Sequence, residues 1–431
     1  MNILSLDTAC SPLFSRIVER IEGVDSFTAI FSNSGYKHYF TGQHCEYLGN
    51  ILREHKIYSK QDLSLALRSR NHYSAHIHKI EQRILNDHEL IVFATFANYF
   101  RLYLSKYEID FVMLHNDLRW QHAIAREICI EEGVSFCVSE LGLFRPFTTT
   151  LDFHGVNANS SIANLDIDFT QYANQNEVEF DIPSPFFGHE SILSKVHFGY
   201  FLVANKLGEL LGRSSPILHN QFKIRPYLKR LWRHSVEHRV NNLYGITQSL
   251  LDKPYLFFPM QLENDTQLLI HSDFSSNQLL LEQVEQAFYR SSLADTHLLV
   301  VKLHPNDLGR YKAQKETVFT KGITKELVNH SDSVVSVNST VCIEVLETDK
   351  PLYVLGRALF AREDICQPVD IKELSEALSN PSRVNMVARR GFLYYLRHEY
   401  SVHGAGFSYT DNQLQIIAKK IELHVRGSVT N

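Results

Sequence analysis

Short apolar runs bounded by turn formers recur along the chain, and their alternation with longer periodic stretches constrains the fold more than any other feature. NILSL (2–6), FTAIFS (27–32), LIVFATF (90–96), DFVMLHND (110–117) and VSFCVSE (134–140) read as strands in the first half. YLFFPMQ (255–261), HLLVVKL (297–303), SVVSVNS (333–339) and PLYVLG (351–356) resume the pattern in the second. A strand buried on both faces is a continuous apolar run, and strands alternating with helices make a parallel sheet covered on both sides. Between 150 and 190 the turn formers of NANSS, NQNE and DIPSPFFGH interrupt the pattern. The expected class is α/β, with two Rossmann-like domains facing each other across a cleft. Their expected bounds are 1–188 and 253–385, with a helical insert or linker at 189–252 and C-terminal helices at 386–431 packing back on the first domain.

Bulk properties narrow the function. A chain of 431 residues exceeds one core. A net charge of −5 argues against a basic nucleic-acid binder. The start MNILSLDTACSPLFSRIVER has neither the basic nor the apolar region of a signal peptide. No apolar stretch approaches the roughly 20 residues of a membrane-spanning helix, so the expected location is cytoplasmic. Six scattered cysteines with no CxxC pair read as buried thiols. FKIRPYLKRLWRHSVEHRV (222–240) sets Lys223, Arg225, Lys229, Arg230, Arg233 and Arg239 around Leu228, Leu231, Trp232 and Val236. Such a stretch suits a solvated helix face packed on a core or, alternatively, an anionic membrane surface.

The chemistry concentrates at strand ends. VKLHPND (301–307) puts His304 at the carboxyl edge of its strand, where open α/β sheets bind ligands. DSVVSVNSTVCIEVL puts Ser339 and Thr340 between a later strand and a helix, where a hydroxyl caps the helix and free N–H groups attract an anion. Singly, these are a loop histidine and a helix cap; together they suit a phosphate, with Lys302 or Arg310 adding charge. Glu344, one turn further on, is either a ribose acceptor or an exposed helix glutamate. Glu140 ends a first-half strand, before Gly142, and is either a base for an acceptor hydroxyl or a turn residue. The span 259–276 crowds Glu263, Asp265, Gln267, His271 and Asp273, as a surface loop or a site does.

Three patterns imitate metal sites. His398 and His403 are five apart, roughly 140° around a helix, where a zinc pair needs four. His72 and His76 have that spacing but no third ligand. Asp166 and Asp168 lie in a turn-rich stretch away from any strand end. No metal is expected.

The order ELGLFRPFTTTLDFHGVNANSS, ENDTQLLIHS, VKLHPNDLGR, VNSTVCIEVLETDKPLYVLG resembles the capsule polysaccharide synthesis family over residues 110 to 360. Members of that family include the transferases that build the Kdo linker of bacterial group 2 capsules. The resemblance implies a GT-B-like fold and retaining transfer of Kdo from CMP-β-Kdo to a glycan or glycolipid of a capsule or O-antigen. It implies that His304, Pro305, Ser339 and Thr340 hold the cytidylate, and Asp265 with Gln267 matches an Asp-Ser/Thr-Gln element; position at the strand ends adds Lys302 and Glu344 to the same nucleotide site. It also implies catalytic roles for Asp265, as nucleophile, and for Glu140 and His271. Arg145 and His271 would meet the carboxylate of the sugar, and Asn157 and Ser160 would shape the cleft. Glu140 matches the first acid of an acidic-acidic-Gly motif whose second position here is Leu141, a departure that leaves the catalytic carboxylate open.

Other CMP-sugars such as sialyl donors, a CDP-polyol phosphotransferase, and a non-catalytic scaffold of a polysaccharide export complex are the alternatives. The expected partners are a CMP-sugar, a glycan or lipid-linked acceptor and, at the inner face of the plasma membrane, the bilayer or the export complex, with no nucleic acid.

Overall fold

A computed structural model describes residues 1–145, 148–176, 191–217, 253–305, 307 and 310–429. In the first half β1 (Asn2–Ser5), β2 (Ser26–Phe31), β3 (His44–Tyr47), β4 (Phe111–His115), β5 (Ser135–Leu141) and β6 (Thr148–Asp152) share one sheet. In the second, β7 (Tyr255–Pro259), β8 (Leu298–Lys302), β9 (Thr317–Thr320), β10 (Ser333–Ser336), β11 (Leu352–Val354) and β12 (Gln367–Pro368) form another. A late strand, β13 (Ser401–His403), returns to the first sheet and gives it the order β13-β6-β5-β4-β1-β2-β3. The second sheet runs β12-β11-β10-β7-β8-β9 and is parallel throughout. In the first, only β6 and β13 run antiparallel to their neighbours. Each sheet is covered on both faces by apolar cores, as its continuous apolar strands require.

One expected strand is a helix. LIVFATF lies inside the helix Asp87–Lys106. Asn86 accepts the Glu89 N–H at 2.9 Å while Glu89 accepts the Asn86 N–H at 2.8 Å, a reciprocal cap that starts the helix just ahead of the apolar run. Phe93, Phe96 and Phe100 then fall on one face, and Phe93 stacks on Trp120 at 4.7 Å. Helical spacing of aromatics overrides the strand preference of Ile91 and Val92.

The chain crosses between domains in places its spacing does not announce. Ile162 and Phe169 belong to the core under the second sheet, where Phe169 meets Phe392 edge-on at 4.9 Å. Arg362 fastens this segment by donating to the carbonyls of Leu165 (2.6 Å) and Ile167 (3.2 Å). The helix Met386–Tyr394 also stays with the second domain, so the return to the first begins at Ser401 and not at 386. The cause is Arg389, whose buried guanidinium donates to the carbonyls of Ile365, Thr348 and Lys350 at 2.8–2.9 Å. After β13 the helix Asp411–Val429 buries Leu414, Ile417, Ala418 and Ile421 with Leu13, Phe14 and Ile17 of the first domain.

Within 189–252, residues Ile192–Leu210 form a helix on the first domain. The basic segment 222–240 lies outside the described residues. All six cysteines are free thiols. Among the described residues no helix is long and apolar enough to cross a membrane.

Candidate active site

In the second sheet the chain runs outward through β7, β8 and β9, then comes back to place β10 on the other side of β7. That reversal opens a crevice beyond the carboxyl ends of β7 and β10, where ligands bind in such sheets. A cavity of about 470 Å³ occupies it. The loops after β7, β8 and β10 supply one wall, and Asn116, Glu140, Arg145 and Asn157 from the first domain supply the other.

Asp265 comes at the end of the loop after β7 and starts the short helix Thr266–Leu269, its Oδ1 accepting the Gln267 N–H at 3.0 Å. The cap fixes where the carboxylate points. The first domain supports this loop from behind: His72 Nε2 lies 3.0 Å from the Asn264 carbonyl, and Lys79 Nζ donates to the carbonyls of Ser272 (3.0 Å) and Phe274 (2.8 Å).

After β8, Lys302, Leu303, His304 and Pro305 all line the cavity. Lys302 donates to Thr324 Oγ1, and burial holds its ammonium below the usual lysine range against the opposing charge of Glu344. Burial in turn raises the Glu344 carboxyl, with Lys302 pulling the other way. Glu344 is therefore a half-buried wall residue and not an exposed one.

After β10, Ser339 Oγ accepts the Val341 N–H at 3.3 Å, capping the short helix Val341–Leu346, while Thr340 makes no side-chain cap. Thr340 lines the cavity beside it. The residue just before, Asn338, to which the sequence pattern assigns no role, is only 5% exposed. Its Nδ2 donates to the carbonyls of Gln267 (3.0 Å) and Arg357 (3.3 Å), tying the loop after β10 to the one after β7. A polar amide directly behind the valine-rich run Val334–Val337 is the available signal.

On the facing wall, Glu140 closes β5, and its Oε1 accepts the Leu141 N–H at 2.9 Å. Burial pushes its carboxyl above the ordinary range, opposed by the charges of Arg119 and Arg145. Gly142 allows a close approach, but to the chain's own backbone: a Cβ there would sit 2.3 Å from the Thr148 carbonyl. Asp117 positions the loop bearing Asn157, its Oδ2 accepting the Val156 N–H (3.3 Å) and an Asn159 Nδ2 hydrogen (3.0 Å). Asn116 and Asn157 adopt left-handed backbone, with φ of 61° and 55°, a conformation asparagine tolerates.

The cavity thus gathers Asp265, Gln267, Lys302, His304, Pro305, Ser339, Thr340 and Glu344 opposite Glu140, Arg145 and Asn157. It leaves out His271 and Ser160. His271 lies in a separate cavity between the domains, beside Arg357. Burial, with Arg357 adding to it, pushes the imidazole down to about 4, so in the free chain it is neutral near pH 7. Ser160 is fully buried beneath the Asn157 turn. The metal-like patterns have structural partners: Asp168 accepts the Thr170 N–H at 2.9 Å, and His403 Nε2 lies 2.9 Å from the Arg397 carbonyl. Among the described residues no three His, Cys, Asp or Glu side chains are grouped to hold a metal ion.

Two mainly parallel-sheet domains that meet carboxyl edge to carboxyl edge across a polar cavity define the GT-B type of fold. The pattern of the capsule polysaccharide biosynthesis proteins matches residues 110–401, and the chain belongs to that family. It is 26% identical over 337 residues to the capsule polysaccharide modification protein LipB of Neisseria meningitidis serogroup A, covering 73% of this chain and 78% of LipB. It is 25% identical over 311 residues to the capsule polysaccharide export protein KpsS of Escherichia coli, covering 67% and 77%. Among solved structures, a Thermosulfurimonas dismutans KpsC beta Kdo 2,7 transferase aligns over 97% of this chain and 100% of its own, at 12% identity and a TM-score of 0.38.

Proposed function

We propose that the protein is a retaining glycosyltransferase that moves Kdo from CMP-β-Kdo to an acceptor in capsule polysaccharide biosynthesis. One observation carries this reading: Lys302 and His304 at the end of β8 and Ser339 after β10 surround one cavity that also holds Asp265, from the loop after β7, and faces Glu140. His304, Lys302 and the N–H groups near Ser339 stabilise the phosphate as CMP departs, which is where charge develops. Asp265 attacks C2 of the sugar and holds it as an ester while CMP leaves. Glu140 then takes the proton of the acceptor hydroxyl, which displaces Asp265 with a second inversion and net retention. A carboxyl raised by burial is matched to proton abstraction near neutral pH. Arg145 pairs with the carboxylate of the sugar. A single phosphate leaves without metal assistance in this scheme, and the protein works peripherally at the inner face of the plasma membrane.

Leu141 favours a second reading. With one acid where the family motif has two, the chain is a CMP-binding scaffold of an export complex. The test is CMP release from CMP-β-Kdo, generated in situ, by wild type and Asp265→Asn, with and without EDTA. Wild-type release that persists in EDTA and collapses in the variant supports the transferase. CMP binding without release supports the scaffold, and release only from other CMP-sugars or from a CDP-polyol reassigns the donor.

A further inference from the structure

The helix Ile192–Leu210 buries Phe201, Asn205 and Gly208 on the first domain and turns its opposite face outward. Phe201 packs edge-on against Tyr36 at 5.0 Å. A Cβ on Gly208 would lie 2.3 Å from Ser34 Oγ, so the helix is seated closely. On its outer face Ile192, Val196, Tyr200, Val203, Leu207 and Leu210 are 51–76% exposed. Their spacings of four, four, three, four and three residues make one stripe, about 27 Å long at helical rise. Apolar side chains aligned in this way form a contiguous patch of the kind that marks an interaction surface.

Charge distinguishes the partner. The remaining exposed positions of the helix are Lys195, Gly199 and Lys206, and no carboxylate stands among them. Lys195 and Lys206 fall along the same edge of the stripe, and Lys206 is paired with the half-buried Glu209 at 2.7 Å. A second copy of this helix would bring lysines to its seam with no exposed acids to meet them. Anionic headgroups meet them directly. In the sequence, the basic run beginning at Lys223 follows soon after the helix.

We propose that this face lies on an anionic lipid bilayer, its apolar stripe in the headgroup region and Lys195 among the phosphates. The helix packs on the turn Ser34–Tyr39 beyond β2, at the carboxyl edge of the first sheet. Asn116 and Glu140 reach the cavity from that same edge, so docking brings the acceptor side of the cavity near the lipid. The proposal extends the peripheral-membrane reading. Vesicle binding is measured without turnover, so its failure is distinguishable from failure of the donor assignment.

The experiment is flotation of the full chain with phosphatidylglycerol–phosphatidylcholine vesicles and with phosphatidylcholine alone. Wild type floats with the anionic vesicles, and Val203→Asp with Leu207→Asp lowers partitioning by about tenfold or more. Lys195→Glu weakens it further as salt is lowered. Unchanged melting temperatures show that these exposed substitutions leave the fold intact. Three outcomes overturn the proposal. Vesicle binding insensitive to Val203→Asp and Leu207→Asp but lost on reversing Lys229, Arg230 and Arg233 moves the role to that segment. A wild-type dimer that leaves vesicles alone and dissociates on Leu207→Asp assigns the stripe to a second copy. No flotation and no self-association leaves the stripe to the chain's own remaining residues.

Discussion

The two walls of the cavity are built differently. The second domain offers the ends of neighbouring parallel strands, so each contributing segment starts where an apolar run stops. The first domain offers a strand end, a hairpin and a turn, with Glu140 on β5, Arg145 beyond it and Asn157 held by Asp117. The hairpin strand β6 is in turn paired with β13, residues that come some 250 positions later. A parallel edge makes a site from local segments. An antiparallel addition makes one from distant segments, and its sequence carries fewer marks.

If the walls divide the reaction, substitutions separate them. Glu140→Gln lowers acceptor-dependent transfer by about 10²- to 10⁴-fold, while slow CMP release into water continues; equal loss of both would falsify the division. Transfer by wild type should also rise with pH through a carboxyl titration above the ordinary range, because the raised group must be ionised to act as a base. His304→Ala, on the opposite wall, lowers transfer and CMP release together by about 10²- to 10³-fold, the scale for removing one charge-stabilising group. Parallel assays of the two variants read the contrast directly.

A smaller effect distinguishes the cavity from the buried space behind it. His271 is held down to about 4 in the folded chain, against about 6.5 when unfolded. Its contribution to stability is present above pH 6.5 and is lost as pH falls through 4. The shift corresponds to about 3 kcal/mol. Urea unfolding from pH 7.5 to 4.5 should be less pH-dependent in His271→Leu than in wild type; equal slopes would return His271 to a solvated, ionisable role. Least of all, Gly142→Ala should cost about 1–3 kcal/mol by forcing a methyl group onto the Thr148 carbonyl. Differential scanning calorimetry measures it, and an unchanged melting point would show that the hairpin adjusts freely.

The parallel strands β1, β2, β4, β5, β7, β8, β10 and β11 were legible because each is a largely apolar run that gives way to polar residues or turn formers. His304 and Ser339 stand where such runs stop, so their shared edge could be inferred without knowing the fold. LIVFATF misled because its β-branched residues are overruled by a reciprocal cap and by Phe93, Phe96 and Phe100 recurring on one face. The strands β3 and β13 are short and polar and gave no pattern. Nearness in sequence groups His271 with Asp265, but the single helical turn between them carries it to the far side of the loop. Asn338 went unnoticed because its work is between loops, a relation that appears only when two strand ends are neighbours.

The order of synthesis gives the late strand a further meaning. A ribosome delivers β13 and the helix Asp411–Val429 after the whole second sheet. Until then β6 is an unpaired edge, and Leu13, Phe14 and Ile17 lack the helix that covers them. The half made first is therefore completed last, which reverses the usual progression of domains folding as they emerge. A nascent chain stopped just beyond residue 400 would carry a finished second domain joined to an open first one.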